Sequence, residues 1–65
     1  MNDYKLLAHI VKELDKLKQE RETYVASGRA ESLDEYRGVC GVIRGLSLAE
    51  NIINELVQKM EKSDD

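Results

Sequence analysis

Apolar residues recur every three or four positions through the first part of the chain, and charged residues fill the positions between them. This spacing is typical of an amphipathic helix that buries one stripe against a partner, as in a coiled coil. We predict a first helix over residues 3–27, capped by Asn2 or Asp3 and ended by Gly28 in the left-handed C′ position. The predicted seam consists of Leu7, Ile10, Leu14, Leu17, Arg21 and Tyr24, and it is widened by Leu6, Val11 and Val25.

A second amphipathic pattern begins after a short loop over residues 28–32. Ser32 and Glu35 have the spacing of a capping box, in which Ser32 accepts a hydrogen bond from the backbone of Glu35 and Glu35 reaches back to Ser32. We predict a second helix over residues 33–62. Residues 63–65 should fray, because the negative charge of the last two residues is unfavourable at a helix C-terminus.

Two long amphipathic helices joined by a short connection predict a single all-α domain over residues 1–65, an antiparallel two-helix hairpin. The second helix is the longer one, so Val57 and Met60 should extend past the start of the first helix with little cover. With the turn as the pivot, the predicted neighbours across the seam are Tyr24 and Tyr36, Leu17 and Ile43, Leu14 and Leu46, Ile10 and Ala49, and Leu7 and Ile53.

Three glycines lie within the second helical pattern, and each costs roughly 1 kcal/mol relative to alanine inside a helix. On a continuous helix, Gly38, Gly41, Gly45 and Ala49 form a smooth strip beside the apolar stripe. Small residues at this spacing let another backbone approach closely, a contact best known from membrane helices. The strip therefore indicates a contact with another helix.

The same glycines could instead break the helix. Ser47 could then cap a new helix, with Glu50 at its third position. We expect the continuous helix, and keep the broken one as the alternative.

The second helix shows apolar or small residues around more than half of its circumference. One partner helix covers roughly 100–140°, and the hairpin supplies one partner helix. We therefore expect the chain to complete its core by oligomerisation or by docking on a partner protein. The predicted partner interface consists of Gly38, Gly41, Arg44, Gly45, Ala49, Ile52, Leu56, Val57 and Met60.

Two arginines, Arg37 and Arg44, lie one heptad apart on the polar edge of this strip. A guanidinium group can bind a carboxylate or phosphate of a partner. The same arginines could instead pair with Glu20, Glu22 or another surface acid. We favour the surface pairing.

The composition argues against catalysis. The chain has 65 residues, one cysteine and one histidine, which excludes a disulfide or a structural zinc site within it. In the predicted hairpin, Cys40 and His9 are about 15 Å apart, too far to act as nucleophile and base. Cys40 is expected to be a small core residue, and His9 a solvated or boundary residue. We predict no catalytic, cofactor-binding or metal-binding residue and no small-molecule substrate.

The formal net charge of −3 and the pI of about 5.1 argue against a nucleic-acid partner. No apolar run approaches the roughly 20 residues of a membrane span. The polar opening at Asn2 and Asp3 does not fit a signal peptide. We expect neither a membrane nor a secreted location, and a lone cysteine suits a reducing compartment.

Residues 32–46 read Ser-Leu-Asp-Glu-Tyr-Arg-Gly-Val-Cys-Gly-Val-Ile-Arg-Gly-Leu. This stretch resembles very short proteins encoded by tailed bacteriophages. Those proteins have a charged first helix, a Gly-containing turn and a Glu-Tyr-x-x-x-x-Gly-x-Ile-Arg-Gly-Leu-like segment in the second helix. The resemblance covers about two thirds of the chain, and its specific part is these fifteen residues.

Genes for such proteins often lie among virion-morphogenesis genes. The resemblance implies a phage origin and a structural or assembly role through a helical protein–protein interface. The partner would be the chain itself, as a homo-oligomer, a larger virion protein, or both, in the virion or the host cytoplasm. The alternative is a small regulatory or anti-defence protein that binds and blocks a host macromolecule. The resemblance implies no catalytic residue.

Overall fold

The computed structural model describes residues 3–63, except for the side chain of Ser63. It consists of two helices, α1 (Asp3–Ala26) and α2 (Leu33–Ser63), packed side by side, and the described residues include no strand. The molecule is 50 Å long, 17 Å wide and 13 Å thick. These features confirm the all-α helical hairpin. The predicted cap at Asn2 and the predicted fraying of Asp64 and Asp65 lie outside the described residues. The predicted fraying at Ser63 is wrong, because α2 is still helical at this residue.

The end of α1 is a Schellman motif, in which a left-handed residue lets the chain turn back. Gly28 has a φ of 77°. Its N–H donates to the carbonyl of Val25 at 3.1 Å, and the N–H of Arg29 donates to the carbonyl of Tyr24 at 3.3 Å. A residue with a Cβ would be strained at this φ, so the prediction that Gly28 ends the helix is confirmed.

The start of α2 has half of the predicted capping box. Ser32 Oγ accepts a hydrogen bond from the backbone N–H of Glu35 at 3.0 Å. The reciprocal bond goes elsewhere, because Glu35 Oε2 accepts from the backbone N–H of Glu31 at 2.9 Å and not from Ser32. From this cap α2 runs unbroken through its three glycines to Ser63, so the alternative of a helix restarting at Ser47 is wrong.

The seam between the helices consists of rows of residues spaced by seven, which keep one position relative to a partner helix in coiled-coil-like packing. On α1 the half-buried rows are Tyr4, Val11, Lys18 and Val25, and beside them Leu7 and Leu14. On α2 they are Val39, Leu46, Ile53 and Met60, and beside them Ile43, Glu50 and Val57.

The predicted seam of α1 is therefore partly wrong. Leu7 and Leu14 lie in the seam, but Ile10 is 38% exposed, Leu17 is 49% exposed and Arg21 is exposed. The apolar stripe of α1 is wider than one helix covers, so α2 packs on one edge of the stripe and leaves the other edge open.

The α2 side of the seam also needs two corrections. Val57 and Met60 are half-buried and continue the rows of Glu50 and Ile53, so the expectation that they have little cover is wrong. Tyr36, predicted to pack beside Tyr24, is 45% exposed.

An ion pair between Lys18 and Glu50 crosses the seam. Lys18 Nζ lies 3.4 Å from Glu50 Oε2, and the two side chains are 22% and 13% exposed. Lys18 also lies 3.8 Å from Asp15, while the second carboxylate oxygen of Glu50 is buried without a hydrogen-bond partner. The contact between the two helices therefore contains a charged pair at a position that apolar side chains usually occupy in a larger protein. None of the described residues is fully buried.

Candidate interaction surface

The glycines of α2 are not needed for the packing of the hairpin. A Cβ atom added at Gly38, Gly41 or Gly45 would meet no atom within 4 Å, so each lies against open space. The close approach that these glycines permit is therefore not an approach of α1. Within the hairpin they lower helix propensity without any packing contact in return.

Exposed apolar side chains continue the glycine strip along α2. Val42 is 50% exposed, Ile52 is 67% exposed and Leu56 is 46% exposed, while Ala49 between them is half-buried. Apolar side chains exposed singly are ordinary on a protein surface, but a continuous stripe is not. This side of α2 is therefore a candidate contact surface.

A matching stripe runs along α1. Ile10 and Leu17 are spaced by seven residues, and Leu6 is 50% exposed one turn before Ile10. This stripe is the edge of α1 that α2 leaves uncovered.

The two stripes lie on the same side of the hairpin, as a hydrogen bond between the helices shows. The hydroxyl of Tyr24 donates to Glu35 Oε1. Tyr24 belongs to the row of Ile10 and Leu17, and Glu35 belongs to the row of Val42, at sevenfold spacing. Because residues seven apart keep one position along the pair, a bond between two rows places both rows on one side.

We call this side the apolar face. It consists of Leu6, Ile10, Leu17, Gly38, Val42, Gly45, Ala49, Ile52 and Leu56. At its loop end lie Tyr24 and, 5.2 Å from the centroid of the Tyr24 ring, the guanidinium of Arg21. The Lys18–Glu50 pair lies in the seam on the side away from the apolar face, because Lys18 shares the row of Val11 and Glu50 shares the row of Ile43.

The predicted interface residues therefore fall into three groups. Gly38, Gly45, Ala49, Ile52 and Leu56 lie on the apolar face, whereas Val57 and Met60 pack in the seam. The other two members point elsewhere. Gly41 shares a sevenfold row with Leu48, about 180° from α1, and Arg44 lies on the far side of that row.

Four residues of the apolar face were not among the predicted interface residues: Leu6, Ile10, Leu17 and Val42. Ile10 and Leu17 were expected in the seam, in place of the row that contains Lys18. In the sequence, Lys18 and Glu50 have opposite charge, and each stands in a sevenfold row whose other members are apolar or aromatic. This pattern is compatible with pairing the two rows, but only the contact across the hairpin selects them over the row of Ile10 and Leu17.

The polar candidates are dispersed. Among residues 3–63, Arg37 and Arg44 form no ion pair or hydrogen bond, so the favoured pairing with Glu20 or Glu22 is not observed. Cys40 is a free, half-buried thiol. The histidine is exposed and lies 3.8 Å from Glu13.

Within the described part of the chain, no three His, Cys, Asp or Glu side chains are grouped so that they could hold a metal ion. Neither described helix is long and apolar enough to pass through a membrane. The shallow groove at the end of α1 is lined by residues of α1 and the loop, among them Lys16, Glu20 and Arg29.

Comparisons with protein-family models, with curated proteins and with solved structures find no match for this chain. The class that the fold and surface define is an all-α helical hairpin with an uncovered apolar face.

Proposed function

We propose that the chain is a non-enzymatic bacteriophage protein that acts in the virion or in its assembly through the apolar face. The observation that supports this most directly is the uncovered stripe of Leu17, Val42 and Ile52 on a hairpin in which none of residues 3–62 is fully buried. Such a stripe is a liability in water unless another protein covers it. The resemblance of residues 32–46 to short phage proteins supports the virion setting.

The chemistry of the face suits a protein partner. Its centre offers aliphatic side chains and glycine backbone, and the basic groups Arg37 and Arg44 lie off it. Nucleic-acid binding depends on basic groups that neutralise phosphates, and this face has none at its centre. A helix with its own apolar stripe is the complementary ligand.

The test is the composition of purified particles of the phage that encodes the chain. Mass spectrometry should find the chain in many copies per particle. Particles assembled with Ile52→Glu should lack it, because a charge at the centre of the face opposes burial. Leu48→Glu is the matched control: Leu48 is 57% exposed on the same helix but off the face, and this variant should be incorporated normally.

Particles without the wild-type chain would contradict the proposal. If the chain were then retained by a host macromolecule through the same face, the regulatory or anti-defence role would take its place.

A further inference from the structure

We infer that the occupant of the apolar face is a second copy of this chain, related by a two-fold axis, with the two loops at opposite ends of a four-helix bundle. The inference rests on the proposed function and names the partner of that surface. Three features of the hairpin support it: the size of the face, the rows left uncovered and the distribution of small and large residues along α2.

The broad side of the hairpin is large enough for a stable dimer. It measures 50 by 17 Å and includes the apolar face, and a specific interface buries roughly 800 Å² per partner. A second hairpin has the same length and width, so it would cover the face from end to end.

The rows on α1 are arranged as a four-helix bundle requires. Each helix of such a bundle packs against two neighbours and presents a different row to each. α1 presents the row of Val11 and Lys18 to α2. The more apolar row of Ile10 and Leu17 lies beside it, uncovered. A second hairpin on the apolar face would bury this second row and give the hairpin the core that it lacks.

Residue size along α2 selects the orientation of the copies. The half of α2 nearer the loop contributes Gly38, Val42 and Gly45 to the face, and the other half contributes Ala49, Ile52 and Leu56. In the sevenfold row of Gly38, Gly45 and Ile52, the two small residues lie near the loop and the large one lies in the other half. With the loops at opposite ends, the glycine half of each α2 faces the Ile52–Leu56 half of the other. The two-fold axis repeats this small-against-large contact, so the surface is self-complementary. With the loops at the same end, α2 would face α1 of the other copy and this match would be lost.

The first test is the mass of the purified chain by sedimentation. One chain has a mass of 7.4 kDa, so the wild type should sediment with twice that mass. Ile52→Glu and Leu17→Glu should shift it to the monomer mass, and Leu48→Glu should leave it a dimer. A wild type that stays monomeric at about 1 mM, where even weak association of a few kcal/mol is visible, would overturn the inference. So would a dimer that Ile52→Glu and Leu17→Glu leave intact.

The second test measures the orientation. A spin label is attached at Arg29→Cys, in the exposed loop, with Cys40→Ser removing the natural thiol. Loops at opposite ends should give a label separation that approaches the 50 Å length of the molecule. Loops at the same end would give roughly 10–25 Å, because packed helices lie 8–10 Å apart, and that result would overturn the orientation.

The two proposals can fail separately. A dimer that is absent from particles would contradict the virion role and leave the self-association standing. A monomer that is present in particles would contradict the self-association and leave the virion role standing. The partner of the apolar face would then be a larger virion protein.

Discussion

At the scale of single residues, one carboxylate organises the loop end of the hairpin. Glu35 accepts hydrogen bonds from the Tyr24 hydroxyl and from the backbone of Glu31. Both bonds favour the ionised form, so they lower the pKa of Glu35, and the Tyr24 bond is the larger cause. The same hydrogen bond is the main cause that raises the pKa of Tyr24 above its ordinary value. This bond joins α1 to α2 on the side of the apolar face.

Tyr24→Phe should therefore raise the pKa of Glu35 toward its ordinary value, leaving the lowering by the Glu31 backbone. A lowered folded-state pKa stabilises the fold above the unfolded pKa, and this contribution is lost as the pH falls through the folded value. The variant should lose less stability on acidification than the wild type does. A ¹³C NMR titration of the Glu35 carboxyl group measures the shift, with Tyr36→Phe as the control. An unchanged titration in Tyr24→Phe would contradict the hydrogen bond.

The raised pKa of Tyr24 has the opposite consequence at alkaline pH. The contribution of Tyr24 to folding stability is present below the unfolded pKa of tyrosine and is lost as the pH rises through the folded value. The Tyr24–Glu35 hydrogen bond should therefore stabilise the hairpin at pH values between the titration of Glu35 and the titration of Tyr24.

The Lys18–Glu50 pair gives a second prediction at this scale. The pair is mostly removed from water, and Glu50 keeps one unpartnered oxygen. Lys18→Leu should destabilise the fold by about 1–3 kcal/mol, because it leaves the carboxylate without its cation. The double variant Lys18→Leu with Glu50→Leu should be at least as stable as the wild type, since well-packed apolar side chains often stabilise a fold as much as a buried ion pair does, or more. Urea unfolding at one fixed protein concentration makes the comparison, and additive losses in the double variant would refute it.

At the scale of the elements, α2 is a helix whose glycines have a cost and no contact within the hairpin. Gly38, Gly41 and Gly45 all lie against open space, yet the sevenfold rows assign them to two different sides. Gly38 and Gly45 share the row of Ile52 on the apolar face. The third glycine shares the row of Leu48, which points away from α1.

Gly45→Leu and Gly41→Leu should therefore behave differently. Both replace glycine with a stronger helix former at an open position, so circular dichroism should show equal or greater helix content in each. Gly45→Leu should lose association, because the side chain occupies the space where another helix approaches. Gly41→Leu should associate like the wild type. Equal association of the two variants, measured by sedimentation, would show that the face is misplaced.

At the scale of the whole molecule, the hairpin is long and thin, at 50 by 17 by 13 Å, and the part of the chain that the structure describes contains no fully buried residue. A core made by two helices has a single layer of contacts, so much of each apolar side chain stays in water. Chains of this size gain stability from disulfides, metals, idealised helix packing or association. The second copy inferred above would add a second layer of contacts to the one that the two helices make.

The thermal midpoint of the wild type should accordingly rise with protein concentration, as mass action requires when the associated state is the folded one. Ile52→Glu should have a lower midpoint that does not change with concentration, and Leu48→Glu should retain the dependence of the wild type. Scans over a hundredfold concentration range separate these outcomes. A wild-type midpoint that is constant over that range would mean that the hairpin is stable alone.

The local features of the fold were predictable from short stretches of sequence. The bounds of α1 and α2 fall within one residue of the predicted 3–27 and 33–62. The left-handed turn at Gly28 and the Ser32 cap were predicted from residue types at fixed spacing. Each of these is decided by interactions among neighbours within about one helical turn, so the sequence by itself determined them.

The side of α1 that meets α2 was decided only by the tertiary structure. Two adjoining rows of α1 were available, Ile10 with Leu17 and Val11 with Lys18, and hydropathy alone favours the first. The hairpin buries the second, with Lys18 paired to Glu50 across 32 residues of sequence. Helical periodicity defines an apolar arc but not its centre, and contacts distant in sequence select which edge is covered. That selection is what leaves Ile10 and Leu17 on the open face.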